Sequence, residues 1–153
     1  MKKVVIAVML SILIAMPVLA SETEAETETE MNREVDSDWF NVAHLMMGEA
    51  GHTDSTERRY TASVLLNRVD SEKFPNTIGE CLYQPGQYTT VRDGGAFWNE
   101  PTEECWQDAK DLLTKWYETG ETDLPEDVLY QSRSVLGCGI YLKSNWGQYF
   151  CYG

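Results

Sequence analysis

Apolar positions along this chain return at helical spacing in three stretches and crowd into short aromatic or β-branched runs near its end. In the first stretch Trp39, Phe40, Ala43, Met46, Met47 and Ala50 recur three or four residues apart, as one buried helix face requires. Asp36, Ser37 and Asp38 offer N-caps directly before Trp39, and Gly51 supplies a stop. Val42, Leu45 and Glu49 fall on one edge of that stripe, which places Glu49 at the border between core and cleft. In the second stretch Ala62, Leu65, Leu66 and Val69 follow the i, i+3, i+4, i+7 pattern, after Asp54 and Glu57 at capping-box spacing. The third helix begins between Asn99 and Thr102, runs to about Tyr117 with Cys105, Ala109, Leu112, Leu113 and Trp116 on its apolar face, and closes at Gly120.

The connecting segments read differently. Asp70 to Lys73 are turn-like, Pro75 ends any helical run, and Phe74 to Ile78 are expected to be extended, leading to Cys81–Gln84. Pro85-Gly86 marks a tight turn before Gln87-Tyr88-Thr89-Thr90-Val91, so a short hairpin or an ordered loop is expected there, and Asp93-Gly94-Gly95 forms another turn. Val128-Leu129-Tyr130 and Tyr149-Phe150-Cys151-Tyr152, separated by a Gly137-Cys138-Gly139 turn, predict short strands. The sum is an α+β domain, mostly helical, with a small β-hairpin region and no repeats.

The first 38 residues have another character. Lys2 and Lys3, the apolar run Val4 to Ala15 and the small-residue site Val18-Leu19-Ala20 match a secretion signal over residues 1–20. The apolar run is too short for a comfortable membrane span. Over residues 21–38 Glu22, Glu24, Glu26, Glu28 and Glu30 alternate with Ser, Thr and Ala, a self-repelling composition expected of a disordered tether. Residues 39–153 then form one domain long enough for a single core. A secreted monomer without stable membrane insertion is the resulting expectation.

Charge narrows the partners. The whole chain carries a formal net charge of −13, and residues 39–153 still hold seventeen acids against nine bases. With no basic stripe of interleaved aromatics, nucleic acid is not an expected partner. Four cysteines in a secreted chain are expected to form disulfides, and closure of local loops favours Cys81 with Cys105 and Cys138 with Cys151. A zinc site is the rival use, but there is no Cys-x-x-Cys spacing, and only His44 and His52 are available to help.

Glu49 is the foremost chemical candidate. A carboxyl at a helix end beside apolar side chains is poorly solvated, which favours its protonated form and suits a general acid. A solvent-facing helix carboxylate is the alternative that this segment alone leaves open.

Four segments in register extend that reading: Gly48-Glu49-Ala50, Ser63-Val64-Leu65-Leu66-Asn67-Arg68-Val69, Phe74-Pro75-Asn76-Thr77-Ile78 and Tyr83-Gln84-Pro85-Gly86-Gln87-Tyr88. In order and spacing they resemble the SleB/CwlJ family of cell-wall hydrolases, known from spore-cortex lysis. The resemblance implies a lysozyme-like fold and cleavage of the bond between N-acetylmuramic acid and N-acetylglucosamine in peptidoglycan glycan strands. It places the family's acid/base glutamate on Glu49 and implies neither metal nor organic cofactor. A lytic transglycosylase needs one carboxylate, whereas a hydrolase using water usually needs a second, for which Asp54 and Asp93 are nearest in sequence. Asp54 also reads as a cap and Asp93 as a turn residue, so the transglycosylase outcome is favoured over the hydrolase. A non-catalytic peptidoglycan-binding module is the rival of a different class.

Gln87 and Tyr88 are candidates to line the cleft, Tyr83 and Trp98 to stack on sugar rings, and His52 to reach the cleft from the loop after Glu49. Each has a plain structural alternative in turn or core packing. Asn67 and Arg68 are expected to support the fold by bonding a loop carbonyl or pairing with an acid. The chain departs from the family where Gly51 replaces a common arginine, and in its short cysteine-bearing tail.

Overall fold

The computed structural model describes residues 37–153, and Ser37–Gly153 cluster as one compact unit. The expected secretion signal and all but the last two residues of the expected tether lie outside the described residues. Ser37 and Asp38, assigned to the tether and to capping, belong instead to helix α1, which occupies residues 37–50.

Helix α1 is more enclosed than a one-faced amphipathic helix. Asn41 through Met46 are all buried, whereas Trp39 and Phe40, expected in the core, are 37 % and 40 % exposed. Their rings are used nonetheless. Trp39 Nε1 donates to Trp106 O at 3.0 Å, and the Phe40 ring lies over His44 with centroids 4.0 Å apart. The buried stripe is therefore carried by Val42, Leu45 and Met46, one position round from the expected one.

Helix α2, Ser55–Asp70, begins as its capping spacing requires: the Asp54 carboxylate accepts from Glu57 N at 3.0 Å. Every residue from Thr61 to Arg68 is buried, so this helix too is surrounded. Asn67 Nδ2 donates to Pro125 O at 2.7 Å and Val128 O at 3.1 Å, and Arg68 Nε donates to Leu129 O at 2.7 Å. Both residues thus pin the helix to the segment entering the sheet, through carbonyls and not through an acid.

The segment expected to be extended after Pro75 contains a short helix, α3, Ile78–Leu82. Its cause is local. The Thr77 hydroxyl accepts from Glu80 N at 3.2 Å and donates to Glu80 Oε2 at 3.0 Å, coupling cap and third residue. The Gln87–Val91 stretch is an ordered loop with a 3₁₀ turn at Thr89–Val91, and a second 3₁₀ turn follows at Ala96–Trp98. Helix α4, Glu103–Thr119, starts on Thr102, whose hydroxyl accepts from Cys105 N, and ends on Gly120 in the left-handed conformation at φ 71°. A buried ion pair ties α2 to α4: Arg58 Nη2 lies 2.7 Å from Asp108 Oδ2, and Ser55 Oγ donates to the other carboxylate oxygen at 2.6 Å.

The chain ends in a three-stranded antiparallel sheet of β1, Val128–Ser132, β2, Gly139–Lys143, and β3, Tyr149–Tyr152, ordered β1-β3-β2. The main core joins Leu45 and Met46 of α1 to Leu65 and Leu66 of α2, Phe97 and Leu112. A smaller cluster of Val64, Leu124, Val128 and Phe150 seats the sheet on α2. The domain is α+β and mostly helical, as the apolar spacing predicts.

The expected disulfides are not formed; all four cysteines are free thiols. Cys81 Sγ donates to Pro75 O at 3.0 Å, and burial pushes its thiol up to about 11. On the central strand Cys151 faces Tyr130 and Ile140, and Cys138 precedes β2, two residues short of that register. Cys151 is buried and Cys138 exposed. Among the described residues no helix is long and apolar enough to cross a membrane.

Candidate active site

Glu49 sits on the last turn of α1, half-buried, one residue before Ala50 packs into the core. Its Oε1 accepts a 2.6 Å hydrogen bond from Thr90 Oγ1 in the first 3₁₀ turn. A glycine at position 48 permits this approach. A β-carbon there would lie 2.9 Å from Phe97 N, 3.0 Å from Phe97 Cα and 3.2 Å from Thr90 Oγ1. The same loop is fastened to α1 from the other side, because His44 Nδ1 lies 2.6 Å from Phe97 O. A carbonyl can only accept, so that ring nitrogen carries the proton. Helix end and loop therefore meet at a fixed distance, with the carboxyl between them.

A cavity of about 360 Å³ opens beside Glu49, within the range usual for ligand sites. Gly48 and Glu49 form one wall, and Gln87, Tyr88, Thr89 and Thr90 the next. Arg68 comes from α2, while Gln131, Ser132, Arg133 and Gln148 come from the ends of β1 and β3. Among these lining residues Glu49 is the single carboxylate, beside two guanidinium groups.

Tyr88 is 7 % exposed, and burial pushes its phenol up to about 12, so it stays protonated as a donor. Arg68 is 4 % exposed and lies among aromatic faces, its guanidinium carbon 5.1 Å from the Phe74 ring centroid, 5.4 Å from that of Tyr88 and 5.7 Å from that of Tyr130. Cation–π attraction holds the group in place.

The structure brings Glu49, Gln87 and Tyr88 to one cavity and leaves the other three substrate-binding candidates outside its lining. Tyr83 is 47 % exposed and donates to Asn41 Oδ1 at 3.1 Å. Trp98 is 50 % exposed and its Nε1 donates to Val91 O at 3.1 Å. His52 is exposed, its ring 5.9 Å from that of Trp146. Neither candidate second carboxylate lines the cavity. Asp54 caps α2 and accepts from Trp146 Nε1 at 3.1 Å, and hydrogen bonds from the Glu57 amide and from Trp146 hold its carboxyl below the usual value. Asp93 is exposed in its turn.

Sequence reasoning misses Thr90, Gln131, Ser132, Arg133 and Gln148. Thr90 lies within the Gln87–Val91 stretch that reads as a loop, where its spacing from Glu49 carries no periodic signal. The sheet residues lie more than eighty positions from Glu49, and the antiparallel pairing of β1 with β3 brings them together.

The sequence profile of the cell wall hydrolase family matches residues 54–130, which include Arg68 and the Gln87–Thr90 loop and begin just after Glu49. The chain is 30 % identical over 79 residues to a spore cortex-lytic enzyme of Oceanobacillus iheyensis, covering 52 % of this chain and 28 % of that protein. It is 32 % identical over 79 residues to one of Bacillus cereus, again 52 % of this chain and 30 % of the relative. A third, from Bacillus subtilis, is 29 % identical over 89 residues, 58 % of this chain and 27 % of the relative. The matched stretch thus spans less than a third of each relative's length. No solved structure matches the chain. By the extent of the profile match, the chain belongs to the cell wall hydrolase family.

Proposed function

We propose that this protein is a secreted peptidoglycan glycosidase that cleaves the β-1,4 bond between N-acetylmuramic acid and N-acetylglucosamine, acting as a lytic transglycosylase with Glu49 as acid and base. The observation that carries the reading is a half-buried helix-end carboxyl, held by Thr90, as the single acid lining its cavity. Family membership and the spore cortex-lytic relatives support peptidoglycan as the substrate.

In this mechanism Glu49 gives its proton to the glycosidic oxygen as the bond to the muramic anomeric carbon breaks, and positive charge builds on that sugar. The 6-hydroxyl of the same sugar then forms the new bond to the anomeric carbon, and its proton returns to the Glu49 carboxylate. Atoms balance without water, and one carboxylate serves both steps. The basic, apolar amino-terminal run is assigned to export, and residues 21–36 to a tether ahead of the domain.

Glu49→Gln keeps the shape and the acceptor oxygen for Thr90 but has no proton to give. Release of soluble fragments from purified peptidoglycan is expected to fall at least about a hundredfold, as loss of a general acid commonly does, with thermal unfolding unchanged. Retained lysis removes Glu49 from the chemistry. Mass spectrometry of the wild-type digest is expected to show 1,6-anhydro ends. Reducing ends alone would assign a hydrolase using water, and tight wall binding without release a non-catalytic module.

A further inference from the structure

Apolar side chains left in water gather on one part of this domain. Ten large hydrophobic residues are exposed among the described residues, and five of them fall between positions 135 and 146. These are Val135, Leu136, Ile140, Tyr141 and Trp146, each 41 to 50 % exposed. The first two lie in the β1–β2 connection, the next two on β2, and Trp146 in the β2–β3 turn. β2 is an edge strand paired with β3 alone, whereas Val128 of β1 joins Val64 of α2 in the smaller core. Pairing of β2 with β3 is irregular between Ile140 and Leu142, which breaks the alternation of the strand. Ile140 and Tyr141 are therefore both exposed, and Leu142 packs on the smaller core. The connection ahead of β2 is fastened in place. Cys138 N donates to Tyr152 O at 2.9 Å, and Gly137, at φ 61°, sits where a β-carbon would collide with that same carbonyl oxygen.

Charge is segregated in the same way. Residues 128–153 contain Arg133 and Lys143 and no acidic side chain, whereas residues 39–127 hold seventeen acids against seven bases. Both bases flank the apolar run. Lys143 ends β2, its Nζ 4.9 Å from the Tyr149 ring centroid. Arg133 reaches the β2–β3 turn, where a β-carbon on Gly147 would lie 3.7 Å from its Nη1. Asp54 meets the run at Trp146 and accepts from its Nε1, which turns the polar edge of the indole inward and leaves ring carbon in water.

An occupant must suit aliphatic groups, two aromatic rings and two cations together. A glycan strand finds neither a hydrogen bond nor a flat ring face on Val135, Leu136 or Ile140. A second copy of the chain would set like charges against each other on two net acidic domains. A strand added to the β2 edge meets irregular pairing and Lys143, both of which discourage edge pairing. A bilayer of anionic phospholipid uses every part: acyl chains for the aliphatic groups, the headgroup layer for Tyr141 and Trp146, and phosphates for Arg133 and Lys143. We infer that the β2 rim of the sheet is a peripheral membrane-binding face for anionic phospholipid. Such contact is reversible and needs no spanning segment. The acids sit on other elements, and at about 100 mM salt charge beyond roughly 10 Å is screened. This face is separate from the glycosidase reading and does not depend on it.

The test uses residues 21–153, the chain left once the assigned export signal is removed, so that the apolar run Val4 to Ala15 does not itself bind lipid. At about 100 mM salt, cosedimentation is expected to show at least about tenfold tighter binding to vesicles of equal parts phosphatidylglycerol and phosphatidylcholine than to pure phosphatidylcholine. Val135→Ser with Leu136→Ser is expected to weaken binding to the mixed vesicles at least about tenfold, and Lys143→Gln about fivefold, with thermal unfolding unchanged. Trp146→Phe keeps an aromatic ring and gives a second readout. Quenching of tryptophan fluorescence by brominated phosphatidylglycerol is expected in the wild type and lost in that variant. Fragment release from lipid-free peptidoglycan is expected to stay at the wild-type level in the Val135/Leu136 and Lys143 variants, because none of those residues lines the Glu49 cavity. No vesicle binding, equal binding to neutral and mixed vesicles, or binding unmoved by the variants overturns the inference. A dimer in solution that the serine variant dissociates, or wall lysis lost with the same substitutions, gives the rim to a second copy or to the glycan strand and overturns it as well. The vesicle result stands whether or not the wild type lyses wall, so the membrane face and the glycosidase fail separately.

Discussion

Thr90 fixes Glu49 through one carboxyl oxygen, donating to Oε1 at 2.6 Å in the wall of the cavity that both residues line. A short bond from a hydroxyl to a carboxyl selects one rotamer, and positioning of a proton donor is worth much of its effect. Thr90→Val keeps the shape and removes the donor. We expect kcat on soluble glycan strands to fall about tenfold with KM little changed, and Thr90→Ser to restore most of it. A matching loss in KM instead would make Thr90 a binding residue. The place of Glu49 at a helix end beside apolar neighbours is legible in the amino-acid sequence, whereas the role proposed for it rests on the four segments in register. Thr90 is not legible, since a hydroxyl in a 3₁₀ turn has no spacing to mark it, and its partner lies 41 residues away. Tyr88 reads in the sequence as cleft-lining or packed, and it is both, with its ring buried and its residue in the cavity wall.

At the scale of elements, caps explain which helix boundaries the sequence reveals. Asp54, Thr102 and Gly120 set the ends of α2 and α4 where their side chains or backbone freedom require. Thr77 and Glu80 form a box of the same kind, but Pro75 and a five-residue length hide α3 behind an extended reading. In α1 and α2, packing from several directions buries consecutive residues, so a one-faced stripe misplaces Trp39 and Phe40. Glu57 on α2 shows what burial costs an element. It is 3 % exposed, and burial pushes its carboxyl above the ordinary value of 4.5, only partly countered by the 3.0 Å hydrogen bond from Ser144 Oγ. A raised carboxyl means that the folded state binds more protons than the unfolded one. The charged group therefore withdraws stability as pH rises from about 4.5 through the folded value, and the whole penalty is present at neutral pH. Glu57→Gln can still accept from Ser144. Its melting midpoint is expected to exceed that of the wild type by a few degrees at pH 7 and to match it below pH 4.5. A gain that persists at low pH would trace to packing and not to charge.

For the whole molecule the balance of charge and the charge of the cavity point in opposite directions. Residues 39–153 carry seventeen acids against nine bases, while the cavity lining holds Arg68 and Arg133 against Glu49 alone. Several bases elsewhere are spent on pairs: Arg58 with Asp108, and Arg59 and Lys115 with Asp123. An acidic surface approaching the peptidoglycan proposed as substrate, whose stem peptides carry carboxylates, is repelled at long range, and Arg68, buried in the cavity wall, can act only once the strand is within reach. At about 10 mM salt the repulsion extends roughly 30 Å, and at about 100 mM roughly 10 Å. Screening therefore aids encounter more than it weakens the buried Arg68 and the half-buried Glu49. The initial rate of wall lysis at limiting substrate is expected to rise as sodium chloride goes from about 10 to about 100 mM, by several-fold and through kcat/KM alone. A short neutral chitooligosaccharide, which feels no such repulsion, should bind the Glu49→Gln protein with nearly the same affinity at both concentrations. A lysis rate that falls with added salt would mean that the arginines steer the approach from a distance, and that the cavity and not the acidic surface sets the long-range field.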